Sequence, residues 1–383
     1  MTGFSTFDLT PTPATTKDDD LVVLRLIRSR RVGPATFYRL LAEHGSAADA
    51  LRALPQIAAA AGVADYQPCP EAVAAAELEA GRRHGARLIR FDSPHYPQAL
   101  KDIDGAPPVL WLRGDPSWLT REPVAVIGAR NASSLGLRMA RGMAAGLGEA
   151  GHSIVAGLAR GIDTAAHNAA LPSGTVAVMA GGVDIIYPSE NAVLAAQIVE
   201  RGALISEQPP GTQPAARHFP ARNRIISGLS RAVVVIEAAH RSGSLITARN
   251  ALDQGREVMA VPGHPMDARA AGCNMLIRDG ALLVRGATDV VDALSQGARP
   301  PRATPPAMAP APVTTRLPET ARDSGGPVNL EARILSRLGP SPTEENDLIR
   351  DLGVSAATAS AAILQLELQG RLNRLIGGRL ALS

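Results

Sequence analysis

Lysine is almost absent from this chain. Lys17 and Lys101 are the only two among 39 basic residues, so arginine carries nearly all of the positive charge. Each guanidinium is a planar fork that can bind phosphate or carboxylate through paired hydrogen bonds, which a lysine point charge cannot do. Cysteine is as scarce. Cys69 and Cys273 stand far apart in sequence. Two lone thiols exclude a disulfide scaffold and a cysteine-rich zinc site, and they fit a reducing cytoplasm. No apolar run approaches the ~18 residues of a transmembrane helix. The opening stretch MTGFSTFDLTPTPATTKDDD has no charged segment leading into an apolar one, so no secretory signal is expected. The expected location is the cytoplasm, without membrane contact.

What is present is an ordinary globular composition. Of 383 residues, 45% are hydrophobic and 20% charged, and at roughly 100–200 residues per domain the length suggests two or three domains. The formal net charge is +3, so any surface for nucleic acid has to be local.

Residues 1–20 are rich in Thr and Pro and are expected to form a disordered tail. A helical module is expected over 21–71. Leu21, Leu24 and Ile27 recur at helical spacing, Val32-Gly33-Pro34 makes a turn, and Phe37, Leu40 and Leu41 follow. Helix, Gly-Pro turn and helix resemble a helix-hairpin-helix (SAM-like) unit. Such a turn can bring backbone N–H groups and a helix dipole to a phosphate, or it can simply reverse the chain inside a packing module. Both readings stay open. Six arginines between 21 and 60 face Glu43 and Asp49, a local balance of +4.

Residues 72–295 open with an Ala-rich amphipathic helix to Arg83 and then alternate short apolar runs with helical segments. Val124–Ile127, Ile154-Val155, Val176–Met179, Ala203–Ile205, Ala232–Ile236 and Val258–Val261 read as strands. Fully apolar strands between helices mean a parallel sheet covered on both faces. The fold class is therefore α/β, an extended Rossmann-like doubly wound sheet, with 88–112 adding further strands. Ligands in such folds sit at the carboxyl ends of the strands, which is where the glycine-rich turns fall here.

Residues 296–327 are proline-rich and read as a semi-rigid linker. Residues 328–383 read as a winged helix. Thr343 is an expected N-cap of its second helix, Gly353-Val354-Ser355 makes the helix-turn-helix bend, and Gly377-Gly378 turns a hairpin. Six arginines balance six acids from 330 to 383, and Ser355–Gln369 contains no cation. Reading a duplex by sequence usually needs Arg, Lys, Asn or Gln on that helix. A protein contact is the better reading of this domain, and its partner stays open.

Several chemistries can be set aside. The turn Val126-Ile-Gly128-Ala-Arg130 lacks the second glycine of a dinucleotide fingerprint, and no G-x-x-x-x-G-K-[ST] occurs. Arg130 at a helix start nevertheless suits a phosphate. Asp163 and His167 lie four apart on a helix. Without further ligands they do not make a zinc site, and they read as an N-cap with a packed histidine. No metal, cofactor or catalytic residue is expected. The strongest local signal is 217–249, where Arg217, Arg222, Arg224, Arg231, Arg241 and Arg249 face Glu237 alone, a balance of +5. Phe219 could stack a base, Asn223 could bond a base edge, and Ser242-Gly243-Ser244 offers small donors. Arginine, an aromatic ring and small polar loops are the chemistry of single-strand binding, although the stretch has one Phe and no aromatic row. The other reading is an Arg-rich helix end paired with carboxylates elsewhere.

In order along the chain stand Tyr96-Pro97-x-x-Leu100, Val126-Ile-Gly-Ala-Arg130, Ala156-Gly-Leu-Ala-Arg160-Gly-Ile-Asp163 and Gly181-Gly-Val-Asp184-Ile-Ile-Tyr187-Pro188. Ser206-Glu207, Phe219-Pro-Ala-Arg-Asn-Arg-Ile-Ile-Ser-Gly228, Ser242-Gly-Ser-Leu-Ile-Thr247 and Val261-Pro-Gly263 follow. Together these motifs resemble the DNA-processing protein A family, also called DprA or Smf. The resemblance implies a homodimeric recombination mediator that binds and protects single-stranded DNA entering by natural transformation and loads the recombinase RecA. It implies DNA contacts at Gly128, Arg130, Arg160, Arg217, Phe219, Arg222, Asn223, Arg224, Ser242, Gly243 and Ser244. Loss of Arg130 or Arg222 is then expected to weaken binding while the fold persists. Some members carry lysines near this pocket. No lysine follows Lys101 here, so arginine must serve. The alternative is a nucleotide-cleaving Rossmann-like enzyme of the lysine-decarboxylase-like type, whose P-G-G-x-G-T turn is missing at Ser242–Thr247. A winged-helix regulator is a third reading.

Overall fold

The structure is a computed structural model and describes residues 17–63, 65–295, 327–337, 343–368, 371–375 and 379–382. The chain divides into two compact units, one up to Arg302 and one from Ala303.

The first unit opens with four helices, α1 (Lys17–Arg28), α2 (Pro34–His44), α3 (Ala47–Ala60) and α4 (Glu71–Arg83). The tail expected over 1–20 ends earlier, because Lys17–Asp20 belong to α1. Acidic residues suit a helix N-terminus, and Asp20 also pairs with the buried Arg90 at 3.2 Å. Residues 1–16 lie outside the described ones. Leu24, Leu26, Phe37 and Leu40 form the module's core. Its positive balance is largely committed inside it: Arg25 pairs with Glu71, Arg28 with Glu77, Arg39 with Glu43 and Arg52 with Asp49.

The sheet that follows has nine strands: β1 (Arg87–Arg90), β2 (Val109–Gly114), β3 (Val124–Ile127), β4 (Ile154–Ala156), β5 (Thr175–Val178), β6 (Ala203–Ser206), β7 (Ala232–Val235), β8 (Glu257–Ala260) and β9 (Leu282–Leu283). Their order is β1-β2-β6-β5-β4-β3-β7-β8-β9. From β6 to β9 every pairing is parallel. The expected extra strands β1 and β2 extend the β6 edge in antiparallel pairing. The chain thus moves outward from β3 through β4 and β5 to β6, returns to the centre, and moves the other way through β7, β8 and β9. That is the doubly wound pattern, and its reversal lies between β3 and β7.

Eight helices accompany the sheet: α5 (Gln98–Lys101), α6 (Ser134–Glu149), α7 (Ile162–Ala170), α8 (Ala192–Arg201), α9 (His218–Leu229), α10 (Ser244–Asp253), α11 (Ala271–Arg278) and α12 (Ala287–Ser295). One face packs Met143 and Leu147 of α6, Ile162 and Ala166 of α7 and Val290 of α12 against Val124, Val126 and Val234. The other packs Ile225 and Leu229 of α9 and Ala248 and Ala251 of α10 against Ala125, Val233 and Val235. Both faces are covered, so all four residues of β3 and of β7 are buried. This is why those strands are apolar throughout rather than alternating.

The helical module docks on the sheet through α4. Glu77, almost fully buried, takes three hydrogen bonds from Arg28, at 3.3, 3.0 and 2.9 Å, and a fourth at 2.9 Å from the indole N–H of Trp111 on β2. One turn later comes Gly81, where a Cβ would overlap the Trp111 ring.

In the second unit, α13 (Pro327–Arg337), α14 (Glu345–Leu352) and α15 (Ala356–Leu368) precede a hairpin of β11 (Leu372–Leu375) and β12 (Arg379–Leu382). Thr343 does not begin a helix. It lies in β10 (Thr343–Glu344), which pairs with β12 and makes the small sheet three-stranded. The polar pair Thr-Glu gives no strand periodicity, and only the partner strand draws it into the ladder. The Ser355 hydroxyl caps α15 by accepting from Thr358 N–H at 3.2 Å. Ile334, Leu348, Leu352, Ile363 and Leu366 close the core. The hairpin turn at Gly377-Gly378 and the linker over 296–326 lie outside the described residues, and Pro327 opens α13.

The Gly81 contact is testable. Gly81→Ala should cost about 1–3 kcal/mol by overpacking. The urea midpoint should fall, and a midpoint equal to wild type would show that Trp111 can move aside.

Candidate nucleic-acid interface

The strand reversal leaves a crevice of about 590 Å³ at the carboxyl ends of β3 and β7. Five segments line it: Gly128–Asn131 after β3, Ala159 and Asp163 after β4, Phe219 to Ile226 of α9, the stretch from Arg241 into α10 at Thr247, and Arg269 from the loop after β8. The connection from β6 back to β7 runs through α9. That return is what carries the Phe219 motif over the crevice.

The Arg130 turn is built tightly. At Gly128 a Cβ would stand 2.7 Å from Ile162 Cγ1 and 2.9 Å from the Glu237 carbonyl oxygen, so only glycine lets the chain pass between α7 and β7. Ala129 N–H donates to that carbonyl at 2.7 Å. The Glu237 carboxylate accepts from Ser133 N–H at 3.1 Å and from Ser133 Oγ–H at 2.6 Å, and Ser133 Oγ in turn accepts from Gly136 N–H and caps α6. The one acid of the +5 stretch therefore serves the loop backbone and leaves the crevice to the arginines. Among the lining residues, four arginines face one aspartate, Asp163.

Arg130 is exposed, and its guanidinium lies 5.2 Å from the Phe219 ring centre. Neither Arg130 nor Arg241 has a carboxylate partner within ion-pair distance among the described residues, so both cations are available to an anion. Arg269 pairs with Asp267 at 3.1 Å. Ser242 and Ser244 share a 2.6 Å hydrogen bond at the start of α10.

Beneath this surface lies a buried polar cluster. Arg222 is 6% exposed and donates from Nη1 to the Val178 carbonyl at 2.9 Å. Burial pushes its pKa down to about 10, partly countered by the nearby Asp163 carboxylate, so it stays charged at neutral pH. Asp163 is the second residue of α7 and does not cap that helix as expected. Its Oδ2 accepts from Gly157 N–H at 2.9 Å and Ala159 N–H at 3.3 Å, pinning the loop after β4. Burial raises the Asp163 pKa, with Arg222 acting against it. His167 packs one turn later, fully buried, 2.7 Å from Thr175 Oγ1. The Thr175 hydroxyl donates to the Ile154 carbonyl, so His167 Nδ1 must carry the proton and Thr175 accept it. Burial, with the Arg222 charge adding to it, pushes His167 down to about 3. The histidine is a neutral core residue, packed as read from the sequence.

The structure sorts the sequence candidates. Gly128, Arg130, Phe219, Asn223, Ser242, Gly243 and Ser244 meet in the crevice, with Arg222 at its floor. The expectation that the fold would persist without Arg222 needs correcting, since its side chain is buried under the strand ends. Arg224 leaves the group. Two residues on from Arg222 it points off another face of α9, pairs with Glu207, and lines a second cleft of about 500 Å³ with Arg28, Gly33 and Pro34. In that second cleft Arg28 and Arg224 are both held by glutamates. Arg217, at the start of α9, is exposed outside the crevice. Arg160 is likewise outside and pairs with Glu190. The sequence reading missed two arginines and one ring. Arg241 was counted in the charged stretch without a role, Arg269 follows the Val261-Pro-Gly263 motif, and Tyr187 sits edge-on to Phe219 with centroids 5.9 Å apart.

Residues 87–295 match the family described as DNA recombination-mediator protein A, more than half of the chain. The chain belongs to that family. Residues 17–80 match a DprA-like N-terminal HHH domain and residues 301–378 a DprA winged helix domain, so both flanking modules belong to DprA organisation. The DNA processing protein DprA of Bacillus subtilis is 42% identical over 222 residues, covering 57% of this chain and 75% of that one. The crystal structure of DprA from Streptococcus pneumoniae superposes with a TM-score of 0.61 at 34% identity, over 73% of this chain and 98% of that one. DprA from Helicobacter pylori, whose structure is described for its single-stranded DNA binding mode, gives a TM-score of 0.51 at 27% identity over 55% and 96%. The DprA architecture therefore extends across all three parts of the sequence.

His167 makes the DprA fold acid-sensitive. Its folded pKa lies below the ordinary 6.5, so the unfolded chain binds the extra proton first as pH falls. Stability is fully present above that value and is lost on acidification below it. His167→Asn should flatten the fall of the urea midpoint between about pH 6.5 and 4. An unchanged slope would remove His167 as its source.

Proposed function

We propose that this chain binds single-stranded DNA in the crevice at the β3–β7 reversal, shields it, and delivers it to RecA during natural transformation. The observation that carries the reading is Arg130, exposed, without a carboxylate partner among the described residues, and set against the face of Phe219 at the mouth of the crevice. A guanidinium attracts the phosphate backbone. An aromatic ring beside it takes an unpaired base of any sequence, because every base has a π-face. A duplex keeps its bases stacked inside and cannot offer one without flipping it out. The family's description as a recombination mediator supports the RecA step. The absence of any helix long and apolar enough to cross a membrane among the described residues is consistent with a cytoplasmic site of action.

The nucleotide-cleaving alternative requires a carboxylate free to act on a bound ligand. Asp163 and Glu237 are both buried, and both accept hydrogen bonds from loop backbone. Their commitment favours binding over bond cleavage, and turnover of a nucleoside monophosphate by the purified protein would reverse that judgement.

The open edge of the sheet supports a homodimer. Among the described residues β9 pairs only with β8, and Leu282 and Leu283 are 39% and 42% exposed. An uncovered apolar edge invites a second chain.

Arg130→Ala should weaken binding to oligo-dT and lower the salt slope by about one unit for the lost phosphate contact, with unchanged thermal stability. Equal affinity in wild type and variant would remove the crevice as the site. Arg222→Ala should instead unfold more easily, by on the order of 3 kcal/mol, because Asp163 is left buried without its cation; the urea midpoint reads this directly. Leu283→Arg should halve the mass seen by light scattering while circular dichroism stays unchanged.

A further inference from the structure

Tyr187 has no role in the crevice as described, yet its position is unusual for a ring. It is 51% exposed, and its hydroxyl has no hydrogen-bond partner among the described residues. An exposed aromatic face is a surface on which an unpaired base of any kind can stack. Its one ring neighbour is Phe219, at 5.9 Å between centroids and 64° between planes. At that angle the two rings do not stack on each other. They offer two differently directed faces, one after the other, on the path leading away from Arg130.

The far side of Tyr187 leads to another cation. The Asn191 side-chain amide donates to the Leu158 carbonyl and to Thr164 Oγ1, both at 2.9 Å. These bonds fasten the turn that carries Tyr187 to the loop that carries Arg160. Arg160 pairs with Glu190 on the surface, both side chains about half exposed or more. An exposed pair of this kind is weakly held in water, so a phosphate can displace the carboxylate.

We propose that Tyr187 is a second base-stacking platform, so that the bound strand runs from the Arg130–Phe219 pair across Tyr187 to Arg160. The inference rests on the crevice being the single-strand site. It gives the strand a direction, over the carboxyl ends of β4 and β5 and away from the Ser242–Ser244 wall. It also returns Arg160 to the binding surface, outside the crevice, as the phosphate contact that follows the second stacked base.

The test uses the full chain and fluorescein-labelled oligo-dT of graded length, read by anisotropy. Tyr187→Leu keeps apolar bulk beside Phe219 but removes the flat face. It should weaken binding about fivefold or more, and the length at which affinity levels off should shorten. Tyr187→Phe should restore wild-type affinity and length dependence. Oligo-dT carrying 5-iodouracil should photocrosslink to the peptide containing Tyr187. Wild-type affinity in Tyr187→Leu, or a crosslink confined to Phe219, would overturn the platform. Arg130→Ala separates the two claims: if it weakens binding while Tyr187→Leu does not, the crevice stands and the platform falls. If neither variant weakens binding, both fall.

Discussion

Arg222 reaches from α9 beneath the loop that follows β4 and donates to the Val178 carbonyl at the end of β5. That bond ties the helix carrying Phe219 and Asn223 to the strand ends it crosses. The surroundings are arranged for it. A Cβ at Gly157 would overlap the guanidinium, and Asp163 supplies the opposing charge while gripping the Gly157 and Ala159 N–H groups. A buried cation so placed is costly to desolvate, and removing either partner leaves the other stranded. The geometry of α9, of the β4 loop and of the crevice floor therefore stands or falls together.

The same logic of internal commitment decides which charges face outward. Glu237, the acid within the arginine-rich stretch, holds Ser133 and the Arg130 turn. Glu77 holds Arg28 and Trp111, and Glu207 holds Arg224. Carboxylates are drawn inside to fix backbone or to pair with arginines elsewhere, while Arg130 and Arg241 remain unpaired by carboxylates at the crevice among the described residues. A nearly neutral chain can thus present a positive cleft. The positive balance of the helical module undergoes the opposite treatment, because most of its arginines are paired within it.

Much of the fold was legible beforehand. β3, β4 and β7 are apolar at every position, and β3 and β4 are each followed immediately by a glycine, so a covered parallel sheet could be read directly. The winged helix was legible from its helix spacing and Gly-Gly turn. Thr343-Glu344 was not, because a two-residue strand has no periodicity and exists only through its partner β12. The site was legible as a set of residue types and only partly as a place. Arg222 and Arg224 look equivalent in sequence, and the phase of α9 sends one under the crevice and the other to a different cleft. Tyr187 and Phe219 belong to separate motifs whose meeting no local pattern announces.

Composition and local pattern alone determined the class of fold, the arginine-only chemistry of its cations, and the segments from which a phosphate site could be drawn. These follow from side-chain type and short-range periodicity, which a linear sequence carries in full. Strand order is a property of long-range pairing. Only the tertiary structure put β7 beside β3, opened a crevice there, turned Glu237 inward and Arg130 outward, and brought Tyr187 to the edge of Phe219.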